Sequence, residues 1–423
     1  MNARPLNTRY GGSLAVVIAT LFLVCGCGDG TTGPNGVEPI TQLPRELSAA
    51  EQEVIQANNI FAFNLLAELS GSDPDSNIFI SPLSASMALG MTLNGAAGTT
   101  FQAMRSTLGF SELDQTAINE SYRGLIALLL DLDGTVTFGL GNSIWYRQGF
   151  PVQEAFLTAT RDYFDAEVAA LDFSNPASAD VINDWVAEKT NDKIDEIVRA
   201  PIDPLTVMFL INAIYFNGTW TYEFDPALTE LAPFHRKDGS AGQVMMMAQE
   251  ADLYYGWTES YQVVDLPYGG GAFTMTILLP REDVDLDLLI AALDAEGWAG
   301  LTADLEKTGL KLFLPRFKLE YEKVLNDALK ALGMEVAFGG GADFSGIAPD
   351  RQLYISSVKQ KSFVEVDEEG TEAAAATVVE VNETSDGGGP PELRVDRPFL
   401  FAIRERLSGT LLFLGKVVDL PAN

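Results

Sequence analysis

Residues 367–391 read Asp367-Glu368-Glu369-Gly370-Thr371-Glu372-Ala373-Ala374-Ala375-Ala376-Thr377-Val378-Val379-Glu380-Val381-Asn382-Glu383-Thr384-Ser385-Asp386-Gly387-Gly388-Gly389-Pro390-Pro391. As a strand, this stretch alternates its side chains between two faces. One face carries Thr371, Ala373, Ala375, Thr377, Val379 and Val381, six consecutive positions that are small and uncharged. Such a face suits burial in a sheet, whereas the other, with Glu372, Glu380 and Asn382, tolerates water. The run at 387–391 is turn and linker chemistry, so the same stretch also suits an exposed loop. Four alanines behind an acidic turn equally suit a short surface helix.

Outward from this stretch, several segments carry specific patterns. Asn77-Ile78-Phe79-Ile80-Ser81-Pro82-Leu83-Ser84 is a short strand running into a helix. Ser81 is a good cap there, and Pro82 stands where the backbone N–H has no helical partner. Residues 86–94 extend that helix and 95–100 break it. Apolar residues recur at helical spacing through Ile55, Ile60, Phe63, Leu66 and Leu69, with Asn59 as a polar interruption. The nearly unbroken apolar run at 207–216 predicts a strand covered on both sides. Residues 261–268, 273–279 and 310–319 read as strands, with a helical interruption around 284–296.

Glu368-Glu369-Gly370-Thr371-Glu372-Ala373-Ala374-Ala375-Ala376-Thr377 resembles the hinge of a serpin's reactive-centre loop. Further segments are similar to that family in the same order: residues 77–84, 210–220, Leu314-Pro315-Arg316-Phe317, Leu332-Gly333-Met334, Phe344-Ser345-Gly346-Ile347, 353–356, 397–404 and 414–417. Together they span nearly everything from about residue 50 onward. The resemblance implies an α+β serpin fold, one domain with three β-sheets, about nine helices and an exposed reactive-centre loop. It also implies a function without catalysis. A target protease cuts the loop, and the freed strand inserts into the central sheet with the acyl-linked protease attached.

Single positions follow from the same resemblance. The hinge would comprise Glu368, Gly370, Thr371, Ala373, Ala374, Ala375, Ala376 and Thr377, with no bulky, charged or proline residue on the inserting face. Ser81, Ser84 and Asn212 match the family's shutter, a polar cluster beneath the opening strands; Gln360 stands where the family usually has a histidine. Gln can donate and accept but cannot titrate. Trp220 and Arg316 match the breach, with Glu368 as the partner of Arg316. Counting forward from Glu368 puts the reactive bond between Thr384 and Ser385. Counting back from Pro390 puts it near Gly387, so the loop is about three residues longer than the family spacing. Thr384 suits elastase-like or subtilisin-like serine proteases, a cut at Glu383 would suit an acid-selective one, and a cysteine protease is a further target class. A non-inhibitory serpin acting as a binding or carrier protein is the alternative.

Composition bounds what else the chain can do. The formal charge is −32, from 27 basic and 59 acidic residues, and no Lys/Arg cluster stands out. Nucleic acid and a polyanionic cofactor are therefore not expected partners, and a monomer is expected. The single histidine, His235, has no Gly-x-Ser-x-Gly turn beside it, and both cysteines lie in the first 27 residues. A Ser/His or Cys/His hydrolase and a His/Cys metal site thus lack their parts, so the chain reads as a non-enzyme with no cofactor or metal.

Residues 1–26 read as an export signal, basic at Arg4 and Arg9 and apolar over 14–24. Val24-Cys25-Gly26-Cys27 resembles a bacterial lipoprotein box in which Cys27 takes the lipid. The expected organisation is a lipoprotein-type signal over 1–26, a flexible tether over 27–48 and a folded domain over 49–423. The expected location is the envelope or surface of a bacterial cell, with the lipid as the sole membrane contact, or else secretion.

Overall fold

The structure is a computed structural model that describes residues 36–110, 112–371 and 390–421. The chain enters through helix α1 (Ala49–Ser72), strand β1 (Ile78–Ile80) and helices α2 (Pro82–Leu93), α3 (Gly98–Thr107) and α4 (Gln115–Asp131). Strand β2 (Val136–Arg147), α5 (Glu154–Phe164), β3 (Ala166–Leu171), α6 (Ala177–Lys189) and β4 (Met208–Thr219) follow. Next come β5 (Glu230–His235), β6 (Ala241–Trp257), β7 (Tyr261–Tyr268), β8 (Phe273–Pro280), α7 (Leu286–Ala292) and α8 (Ala295–Ala303). The last part holds β9 (Glu306–Pro315), β10 (Phe317–Val324), α9 (Asn326–Leu329), β11 (Lys359–Val366), β12 (Gly370–Thr371), β13 (Glu392–Arg394), β14 (Phe399–Glu405) and β15 (Leu411–Val417). The fold is α+β, with nine α-helices among the described residues.

Local chemistry accounts for the helix starts. Ser48 and Glu51 close a capping box at α1, each side chain bonding the other's backbone N–H. Ser81 caps α2 and Pro82 is its first residue. Asn59, the polar interruption in α1, donates to the Gly409 carbonyl (2.8 Å) and accepts from the Leu411 N–H (3.2 Å), tying the helix to the β14–β15 turn.

Two hydrogen-bonded networks hold the strands. One has six strands in the order β10-β11-β12-β4-β2-β3; the other has nine, in the order β1-β15-β14-β8-β7-β6-β9-β13 with β5 also on β6. Strand β6 pairs with β5 and β9 over most of its length and with β7 at Tyr254–Trp257. Two of the three expected sheets therefore share this one long strand.

The main core lies between the sheets. Strands β8, β14 and β15 are buried at every residue. Phe79 stacks on Phe401 and Phe413, with centroids 5.6 and 5.2 Å apart. Full burial of one such side chain is worth about 1.5–3 kcal/mol, so this cluster anchors the floor under β1. A second, smaller core sits under α6, where Trp185 meets Trp145 edge-on at 6.0 Å.

One reading holds and one needs correction. The run at 207–216 is covered on both sides: Ile211 and Ala213 pack in the smaller core under α6, while Phe216, with Leu210 and Ile214, packs in the main core. Among the described residues, β4 joins β11 only through the two-residue β12, so one of its edges lacks a full-length neighbour. The stretch expected as a flexible tether is held against the body from Ile40 onward. Ile40 donates its N–H to the Gly270 carbonyl (2.8 Å), Arg45 pairs with Glu51 (2.6 Å), and Ile40, Leu43 and Leu47 pack on the core. Three scattered apolar side chains sufficed where no helical or strand period existed.

Candidate functional site: the hinge, the breach and the shutter

The chain turns sharply after β11. The Asp367 carboxylate accepts the N–H groups of Glu369 and Gly370 (3.0 and 3.1 Å), and the Asp367 N–H reaches the Gly370 carbonyl (3.0 Å). This turn aims Gly370 and Thr371 back into the six-stranded sheet. There Thr371 lies opposite Val366 of β11 on one side and Gly218 of β4 on the other. A Cβ on Gly370 would come within 2.1 Å of the Gly218 carbonyl oxygen, so the close backbone approach requires glycine.

Aromatic packing closes the end of this strand. Trp220, 1% exposed, stacks on Tyr268 at 4.5 Å, and its indole N–H donates to the Asp367 carbonyl (3.0 Å). The Trp220 backbone N–H bonds the Glu369 carbonyl (2.8 Å). The Tyr268 hydroxyl shares a hydrogen bond of 2.6 Å with Thr371 Oγ1. Burial pushes the Tyr268 phenol up, against the smaller opposing effect of Thr371, so it stays neutral and able to donate.

Glu368 lies beneath, 4% exposed. Thr229 Oγ1 donates to one carboxylate oxygen (2.6 Å) and Arg316 forms an ion pair with the other. Burial alone would raise the Glu368 carboxyl, but Thr229 and Arg316 outweigh it and hold it below the ordinary glutamate range. Asp367 moves the opposite way, raised chiefly by burial and also by Glu368 and Glu369.

Lower in the sheet, Gln360 of β11 makes a paired contact with the backbone of Ser81. It accepts from the Ser81 N–H (3.1 Å) and donates to the Ser81 carbonyl (2.7 Å). Ser81 Oγ donates to the Leu412 carbonyl (2.8 Å) and accepts from the Ser84 N–H (3.3 Å). Ser84 Oγ donates to the Asn212 carbonyl (3.3 Å), and Asn212 Nδ2 to Asn142 Oδ1 (2.7 Å). Ser81, Ser84, Asn212 and Gln360 thus lie in one connected network. Gln360 reaches Asn212 only through the two serines.

Ala373, Ala374, Ala375, Ala376, Thr377, Thr384, Ser385 and Cys27 lie outside the described residues. Sequence reading missed Tyr268, Asp367, Thr229 and Asn142. For Tyr268, the Pro267-Tyr268-Gly269-Gly270-Gly271 turn was the available signal.

The comparisons bear on this geometry. The family described as Serpin (serine protease inhibitor) matches residues 56–420. Iripin-2 of the tick Ixodes ricinus is 37% identical over 373 residues, covering 87% of this chain and 94% of its own length. Among solved structures, the thermophilic serpin tengpin in the native state superposes with a TM-score of 0.80 at 30% identity, covering 90% of this chain and 97% of its own. Human thyroxine-binding globulin complexed with its hormone gives a TM-score of 0.80 at 30% identity, covering 88% and 100%. The chain belongs to the serpin family, whose members inhibit or bind rather than catalyse.

The bacterial lipoprotein assignment does not survive these findings. Curated relatives that the chain resembles over most of its length include iripins of a tick and neuroserpins of chicken, rat, human and mouse, and none of these is a bacterial lipoprotein. That overturns the expected lipid anchorage at a bacterial envelope through Cys27. No described helix is long and apolar enough to cross a membrane.

Proposed function

We propose that residues 49–423 form an inhibitory serpin that traps a serine protease, or a cysteine protease of like specificity, after cleavage near Thr384–Ser385. The observation that carries this reading is the placement of Gly370 and Thr371 between β11 and β4. The first residues of the hinge already occupy a strand position, and the chain beyond continues the same small, uncharged alternate face to Val381. Burying an unpaired charge there would cost several kcal/mol, and the face offers none. Elastase-like and subtilisin-like enzymes are the first to try, because both accept a small residue at the cut. Incubation should give an adduct that survives SDS. Complete loop cleavage without adduct across both enzyme types would overturn the reading.

A second reading, carriage of a small apolar ligand, is favoured by a cleft of about 890 Å³ between α1 and α8. Ile55, Ile60, Phe63 and Trp298 line it, over the buried Asp265–Arg404 ion pair. The likeness to a hormone-binding globulin adds weight. Titration with thyroxine, followed by quenching of tryptophan fluorescence, tests it; no saturable change would remove it.

A further inference from the structure

The segment before α1 touches the hinge at second hand. We infer that residues 36–47 act as a strap that keeps Thr371 paired in the six-stranded sheet, working through the turn between β7 and β8.

The connections run in one line. Ile40 donates its N–H to Gly270 in that turn (2.8 Å), and Arg406 bonds both the Ile40 carbonyl (3.1 Å) and the Gly271 carbonyl (2.9 Å). Ile40 also presses its side chain on Gly270, where an added Cβ would lie 3.0 Å from Ile40 Cδ1. Gly270 in turn donates to the Asp133 and Thr135 side chains (3.1 Å each). Gly269 donates to the Thr219 carbonyl at the end of β4 (2.9 Å), and its own carbonyl accepts from Thr221 Oγ1 (2.9 Å).

The residue immediately before Gly269 is Tyr268, which holds the Thr371 hydroxyl and stacks on Trp220. The turn therefore sets the ring that sets the hinge. Gly269 and Gly271 both have positive φ (+47° and +83°), so the turn has little side-chain packing of its own and depends on its partners for position. Freed from the strap, the Tyr268 ring gains room, and the two-residue β12 loses its best-fixed neighbour. A strand that short has no reserve of pairing.

Amide exchange reads this without any protease, so the result stands apart from the inhibitor reading. The reporting amides in the full chain are Trp220, Phe224 and Asp367, which bond the carbonyls of Glu369, Glu368 and Gly370. Ile40→Pro removes the donor to Gly270; Tyr268→Phe removes the hydroxyl that holds Thr371. Each should speed exchange at Trp220 by about fivefold or more, the size expected for one lost hydrogen bond. The double variant should be no faster than the faster single one, because both act on one link. Three results would overturn the inference: faster exchange in Ile40→Pro confined to the strap and turn, an unchanged Trp220 amide in Tyr268→Phe, or single effects that multiply in the double variant.

Discussion

Thr371 is the point at which the proposed insertion would begin. It is 2% exposed and sits between two strands, with its hydroxyl on Tyr268. Thr371→Arg should therefore convert the inhibitor into a substrate, with about tenfold less adduct per cleavage event, since a charged side chain cannot follow the same path at tolerable cost. SDS gels of timed mixtures with an elastase-like enzyme check this. The neighbouring carboxyls respond to acid with opposite signs. Glu368 is held below its ordinary range, so its contribution to stability is complete above the unfolded glutamate value and fades as pH falls through the lower folded one. Asp367 is raised, so its contribution is present below the unfolded aspartate value and is lost as pH rises through the higher folded one. In denaturant titrations between about pH 3 and 6, Glu368→Gln should flatten the acid decline and Asp367→Asn should steepen it. Arg316 is 42% exposed, so solvent screens its share of the effect.

Strands and turns set what was legible beforehand. The Ser81–Pro82 helix start announced itself, because a cap is a local signal; of the small alternating face at 371–381, only Thr371 lies within the described residues. Tyr268 had only the glycine turn after it as a local sign, which says nothing of a partner 103 residues away. Asn142, 70 residues from Asn212, gave no sign. The reactive bond could not be placed from spacing alone, because forward and backward counts disagree by about three residues. At Gly370 the backbones of β12 and β4 nearly touch, so Gly370→Ala should expel β12 at a cost of about 1–3 kcal/mol, read by urea unfolding. Gln360 bonds both backbone groups of Ser81, and Gln360→Ala would strand the buried Ser81 N–H, while the Ser81 carbonyl keeps the Ala85 N–H. A loss of about 1–3 kcal/mol is expected. It should be the same at pH 5 and pH 8, because an amide carries no titrating proton where a histidine would.

At the scale of the molecule, the proposed insertion carries an energetic signature. Cleavage between Val381 and Gly389 should raise the melting temperature by about 10 °C or more, as a new strand adds several backbone pairs worth about 1 kcal/mol each. Calorimetry before and after limited proteolysis decides it, and an unchanged transition would remove the insertion model. The excess of 59 acidic over 27 basic residues adds self-repulsion, so the intact protein should also melt higher at about 0.15 M salt than at about 0.01 M. The seventeen-residue β6 has its own consequence. It is a common beam beneath two floors, and neither floor can be stripped while the other stands. Heating should therefore bring both down in one concerted collapse, leaving no half-dismantled species with bare edges to seed polymers.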